Sequence, residues 1–158
     1  MKNPIITKKY RFCAAHKYGN AEWSDEKNLK VFGKDYNNHG HNYVLEVSIT
    51  GPVDPDSGWL VDLKHLNEIV KNHVVELLDH SQIEQDIDWF KDKQPSSENI
   101  LIWAWDEIFQ RLKQGNLQRL RLVEVDFEGD GGKWTTSSSS QLEMHRRTCK
   151  KVNDTSKR

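Results

Sequence analysis

His39 and His41 are the residues whose type and spacing come closest to chemistry. They stand two apart in His39-Gly40-His41-Asn42-Tyr43 and open an alternating run, with Tyr43, Leu45, Val47 and Ile49 set against Val44, Glu46, Ser48 and Thr50. Such alternation is strand patterning, and residues i and i+2 of a strand face the same way. Both imidazoles can therefore reach one metal ion, although a polar strand end would read the same. His16 closes an earlier candidate strand over residues 5–15, in which Ile6, Lys8, Tyr10, Phe12 and Ala14 share a face. If these two strands pair, three imidazoles converge. Three histidines with an open fourth position are the donor set of a catalytic zinc, a Lewis acid toward substrate oxygens. The same set accepts other divalent metals.

The rest of the sequence must position these groups. Residues 17–38 are polar and aromatic, and they read as a long loop, of the kind that usually carries function. Gly51 to Gly58 is turn chemistry throughout. Asp62 can cap a helix running to about Leu78, with Leu63, Leu66, Ile69, Val70, Val74 and Leu77 as its apolar face. Asp79-His80 follows at its end. Pro95-Ser96-Ser97-Glu98-Asn99 starts a second helix whose stripe is Leu101, Ile102, Trp105, Ile108, Phe109 and Leu112. Glu98 suits the positive end of that helix dipole. Residues 118–128 alternate again, and by parity Leu120, Leu122, Glu124 and Asp126 share a face. A glutamate continuing the parity of two leucines is odd for a core strand. The folded domain is expected over residues 1–134, followed by a serine-rich, then basic tail over 135–158, expected to be flexible.

Composition narrows the function classes. The 158 residues are enough for one domain with a real core. With 23 basic and 24 acidic residues there is no global charge to bind nucleic acid, and only the basic tail offers a weak alternative. Nothing approaches the roughly 18 apolar residues of a membrane helix, and no signal-peptide core is expected at the N-terminus. Cys13 and Cys149 make no disulfide framework, so a reducing, cytoplasmic setting is expected.

Several motifs then occur in a telling order: Phe12-Cys13-Ala14-Ala15-His16, Phe32-Gly33-Lys34, His39-Gly40-His41-Asn42-Tyr43, Gly58-Trp59-Leu60-Val61-Asp62, Leu78-Asp79-His80, Pro95-Ser96-Ser97-Glu98-Asn99 and Val123-Glu124. Over about residues 5–130 the sequence resembles the 6-pyruvoyl-tetrahydropterin synthase family, which also holds the 6-carboxytetrahydropterin synthases of queuosine biosynthesis. The resemblance implies an α+β tunnelling fold, a four-stranded antiparallel sheet with two helices on one face. It implies trimers stacked as hexamers with active sites between subunits. It implies zinc on His16, His39 and His41, and a proton-relay pair in Asp79 and His80. It implies a pterin anchored by Glu124 with help from Ser96 and Ser97. A buried carboxylate is costly unless multiply hydrogen-bonded, and a pterin edge supplies paired donors.

One position departs from the family. Where the family carries a cysteine four residues before the first histidine of His-Gly-His, this sequence has Asp35. Cys13 lies three residues before His16, so strand parity sends it to the opposite face. A free carboxylate titrates at about 3.9 and a thiol at about 8.5, so the carboxylate is the weaker base. Burial narrows that gap and a nearby metal widens it. The resemblance implies a zinc-dependent lyase acting on 7,8-dihydroneopterin triphosphate, with Asp35, Asp79 and His80 moving protons. The alternatives are folate-type cleavage of the dihydroneopterin side chain with Asp35 as base, and a pterin- or zinc-binding protein without catalysis.

Overall fold

The structure is a computed structural model that describes residues 2–129 and 132–137. Two long strands, β1 (Ile5–His16) and β2 (His39–Thr50), pair antiparallel along their whole length, from Ile5 opposite Thr50 to His16 opposite His39. Strand β3 (Arg121–Gly129) pairs with β2, and β4 (Gly132–Ser137) pairs with β3. The sheet is antiparallel throughout, in the order β1-β2-β3-β4.

Alternation sorts its two faces. Tyr10, Phe12 and Ala14 of β1, Tyr43, Leu45, Val47 and Ile49 of β2, and Val125 and Phe127 of β3 are all buried. Burying one large apolar side chain contributes roughly 1.5–3 kcal/mol, so this face holds the sheet to the helices. The other face carries ion pairs, with Lys9 Nζ 2.8 Å from Glu46 and Lys133 Nζ 3.1 Å from Asp126.

Helix α1 (Asp25–Phe32) lies within the stretch that reads as a loop. Ser24 caps it by accepting from the Lys27 N–H, and Asp25 and Glu26 occupy its positive first turn. The Ser-Asp-Glu run is the sequence signal that predicts it. Helix α2 covers residues 63–78, capped by Asp62, whose carboxylate accepts from the Lys64 N–H at 2.9 Å. It is α-helical over Leu63–Val70, passes through a π turn at Lys71–Val75, and ends as Glu76–Leu78. The π turn inserts one residue and rotates the apolar stripe. Leu66, Val70, Val74 and Leu78 are fully buried, whereas Leu63 and Leu77, expected in the core, are exposed.

Short helix α3 (Ile83–Asp86) leads to α4 (Ser97–Leu112). Ser96 caps α4 by accepting from the Asn99 N–H. Its buried residues are more numerous than the expected stripe: Ile100, Trp103 and Ala104 join Leu101, Trp105, Ile108 and Leu112, while Ile102 and Phe109 are only partly buried. Trp103 is covered by Phe90, at 5.9 Å between ring centroids, so α4 is packed on more than its sheet side.

The parity reading of β3 is corrected by a bulge. Ser48 of β2 pairs with Glu124 and the next residue, Ile49, pairs with Leu122, so Val123 is the extra residue. A bulge of one residue reverses which parity faces the core. Leu122 is buried before it, and Val125 and Phe127 after it. Glu124 therefore does not share the leucine face. Strand β4 takes in Thr135, Thr136 and Ser137, so the folded part runs three residues past the expected boundary. The rest of the expected tail, residues 138–158, lies outside the described residues, as does Cys149. Among the described residues no helix is long and apolar enough to cross a membrane.

Candidate active site

The full-length pairing of β1 and β2 sets the site. His16 is opposite His39, and Ala14 is opposite His41, all on the helix-covered face. The three ring centroids lie 4.5 to 5.1 Å apart, and one nitrogen from each ring falls within 4.8 Å of the others. Gly40 sits between the two β2 histidines, where a Cβ would stand only 3.2 Å from the Ala14 carbonyl oxygen. A side chain there would press the strands apart at the triad. Tyr43 lies beneath His41 at 5.7 Å between ring centroids and stacks on Phe127 at 4.7 Å, with Phe12 at 5.4 Å. Gly129 gives that ring its room, because a Cβ at residue 129 would overlap Tyr43.

Two of the three rings are oriented by backbone. His16 Nδ1 is 2.7 Å from the Pro95 carbonyl and His39 Nδ1 is 2.8 Å from the Asn37 carbonyl. A carbonyl only accepts, so Nδ1 carries the proton in both rings and Nε2 keeps its lone pair. Histidines that hold a metal are typically fixed through the other nitrogen in this way. The donor set therefore fits a metal ion: three imidazoles crowded at one point, two of them donating Nδ1–H to backbone carbonyls, with His16 fully buried.

Asp35 lies on a 3₁₀ turn, Gly33–Tyr36, and its carboxylate is 3.8 Å from His39 Nε2. Its backbone carbonyl accepts from the Tyr18 N–H, and Tyr18 stacks on Phe32, so the segments before and after α1 hold it beside the triad.

The other expected site residues are placed elsewhere. Glu124 stands seven residues along β2 from His41, opposite Ser48, which is about 24 Å at strand rise. It also lies on the opposite sheet face, so one protomer does not bring it to its own triad. On β3, Glu128 is the acidic residue toward the triad end, opposite Val44. The Ser96 hydroxyl caps α4 and Ser97 is buried, while the contribution of this segment to the triad is the Pro95 carbonyl. Glu98 accepts from Trp134 Nε1 at 3.1 Å.

Asp79 and His80 gather at Cys13, which half-faces solvent on the side of β1 away from His16. Asp79 accepts from the Cys13 N–H, and this hydrogen bond holds its carboxyl below the ordinary range; desolvation opposes it, and His80 adds a further lowering. Cys13 belongs to a second constellation that parity along β1 alone could not reveal, because its partners lie more than sixty residues away.

The histidine triad on paired strands and the aspartate–histidine pair stand where the ordered motifs lie, with Asp35 at the position where the sequence departs from the family. A family model described as 6-pyruvoyl tetrahydropterin synthase matches residues 5–136. The protein is similar to the 6-pyruvoyl tetrahydrobiopterin synthase of Dictyostelium discoideum, at 38% identity over 122 residues, 77% of this chain and 90% of that one. It is similar to the 6-pyruvoyl tetrahydrobiopterin synthase of Homo sapiens, at 32% identity over 77% of this chain and 85% of that one. The solved Caenorhabditis elegans 6-pyruvoyl tetrahydropterin synthase superposes with a TM-score of 0.71 at 32% identity, covering 87% of this chain and 99% of that one. With sequence, topology and site converging, the chain belongs to the 6-pyruvoyl tetrahydropterin synthase family.

Proposed function

We propose that the protein is a zinc-dependent lyase of pterin biosynthesis, acting on 7,8-dihydroneopterin triphosphate by triphosphate elimination and side-chain rearrangement. The observation that carries this reading is the meeting of His16, His39 and His41, with two of their Nδ1 atoms already bonded to backbone carbonyls. These residues would hold zinc, which when bound supplies Lewis-acid polarisation of substrate oxygens. Asp35, beside His39, moves protons at the substrate's side-chain hydroxyls, as a carboxylate within reach of the reacting atoms can. The hydrophobic floor of Tyr43, Phe12 and Phe127 excludes water from that side.

A homo-oligomer, trimeric or hexameric as the family resemblance implies, completes the proposal. Glu124 lies on the face opposite the triad and the Asp79–His80 pair is turned to Cys13 at the β1 edge, so they would meet a triad through another copy. Glu124 would then bind the pterin edge. The sequence's lack of a disulfide framework fits a cytoplasmic setting.

The test is product analysis. Zinc-loaded protein incubated with 7,8-dihydroneopterin triphosphate should release triphosphate and a rearranged pterin of matching mass. Absence of triphosphate across a broad pH range, with pterin still bound, would leave a binding protein instead. A second reading rests on the carboxylate in the cysteine position: Asp35 as base for cleavage of the dihydroneopterin side chain. Mass spectrometry separates the two products. Asp35→Ala should abolish either activity by about a hundredfold or more, whereas Asp35→Cys should raise only the elimination.

A further inference from the structure

Cys13, His80 and Asp79 form a second chemical centre. The segment after α2 is laced onto the free edge of β1. His80 N–H donates to the Cys13 carbonyl at 2.6 Å, Ala15 N–H donates to the Ser81 carbonyl at 2.8 Å, and Asp79 Oδ1 accepts from the Cys13 N–H at 3.0 Å. His80 is held at φ +60°, alone among the described non-glycine residues in that region. A histidine in this region costs backbone energy, and such strain concentrates where a side group must be aimed. Here it aims the ring between two partners. His80 Nδ1 is 3.0 Å from Asp79 Oδ2, and Nε2 is 3.6 Å from Cys13 Sγ.

The tautomer follows. A carboxylate only accepts, so Nδ1 carries the proton and Nε2 presents a lone pair. That lone pair faces the thiol. Asp79 Oδ1, at 3.8 Å, is a weaker second acceptor for the same S–H, already engaged with the Cys13 amide. Base, thiol and orienting carboxylate are thus in the order that activates a nucleophile. The group opens on a cavity of about 340 Å³ bounded by Cys13 and His80 on one side and Gly40 to Asn42 on the other.

We propose that Cys13, His80 and Asp79 form a thiol proton relay in which Cys13 exchanges a proton with an aliphatic carbon of the pterin substrate. The choice of substrate rests on the lyase reading above; the relay itself does not. The S–H proton passes to His80 Nε2, leaving a thiolate beside an imidazolium. In the elimination the thiolate takes a proton from an aliphatic C–H of the substrate. That bond's electron pair forms the C=C bond, the neighbouring C–O bond breaks, and triphosphate leaves with its pair. The proton on His80 then passes to solvent, which restores the resting relay.

Alkylation tests the relay without turnover. In a Cys149→Ser background, iodoacetamide reports Cys13 alone: sulfur bonds to carbon and iodide departs. His80→Asn keeps a residue that tolerates positive φ. Asp79→Asn keeps the acceptor for the Cys13 N–H. At neutral pH His80→Asn should slow alkylation about tenfold or more, and Asp79→Asn should slow it to a smaller degree. Rates equal to the parent in both variants would overturn the relay. Cys13→Ser then tests its use: kcat should fall about a hundredfold or more with pterin affinity by fluorescence unchanged, and an unchanged kcat would remove Cys13 from catalysis. A parent protein with no turnover would count against the lyase reading, while the alkylation rates would still decide the relay.

Discussion

Cys13 and His16 lie three residues apart on β1 and serve opposite faces of the sheet. Parity makes that legible from the sequence, and so does the His-x-His spacing at residues 39 and 41. What sits against each residue is not legible, because those contacts come from the segments near residues 80 and 95. The Pro95 carbonyl that orients His16 has no side-chain signature, and His80 at Cys13 depends on a backbone conformation no residue type announces. At this scale the triad makes a direct prediction. His39→Ala should lower bound zinc from about one ion per protomer to near none in metal analysis, since three donors are the fewest that typically hold a catalytic zinc. Asp79 makes another. Its folded pKa is depressed, chiefly by the Cys13 N–H bond. Its contribution to stability is therefore fully present above the unfolded carboxylate value of about 3.9 and is lost only as pH falls through the lower folded value. The Cys13 amide should stay protected from hydrogen exchange at pH 5 and lose protection well below pH 4. In Asp79→Asn, which cannot titrate, that acid-induced loss should disappear.

Whole elements are the most legible level, and two of the exceptions share one cause. Residues 63–78 and 97–112 show their helices plainly in caps and apolar spacing. The π turn at Lys71–Val75 and the bulge at Val123 each insert one residue, and a pattern read at constant period cannot register an insertion. Periodicity misplaces Leu77 and Glu124 for that one reason, one on a helix and one on a strand. The bulge predicts that deleting Val123 joins Leu122 to Glu124 in regular pairing and leaves Leu122, Val125 and Phe127 all facing inward, so the deletion should still fold cooperatively in urea titration. The α4 cap predicts a loss instead. Ser96→Ala should cost about 1 kcal/mol in chemical denaturation. Because Pro95, next in sequence, holds His16, zinc affinity should fall in the same variant. Ser96→Thr, which keeps the capping oxygen, should recover both.

The molecule as a whole has one sheet face covered by helices and one carrying ion pairs, with long β1 at one edge and β4 at the other. Sheet edges invite pairing with further strands, and the segment after α2 already bonds to the β1 edge at Cys13 and Ala15. The triad lies on the covered face at the β1–β2 end, whereas Glu124 belongs to the other face and the Cys13 relay to the β1 edge. One protomer therefore holds parts of two half-sites, each missing what the other carries. Self-association would unite them, and this can be tested without an oligomer structure. A His41→Ala protomer lacks a complete triad but keeps its relay, and an Asp79→Asn protomer keeps its triad but lacks a complete relay. Each should be nearly silent alone. When the two are co-expressed with different tags and purified through both, mixed assemblies pair an intact triad with an intact relay at some interfaces. Turnover should then recover to a substantial fraction of the parent value, and dilution below the assembly concentration should abolish it. Recovery requires that the two groups act across a boundary between protomers, because no single protomer in the mixture carries both. Silent mixed assemblies of normal size would place all the chemistry within one protomer and would remove Glu124, about 24 Å along β2 from His41, from the substrate site.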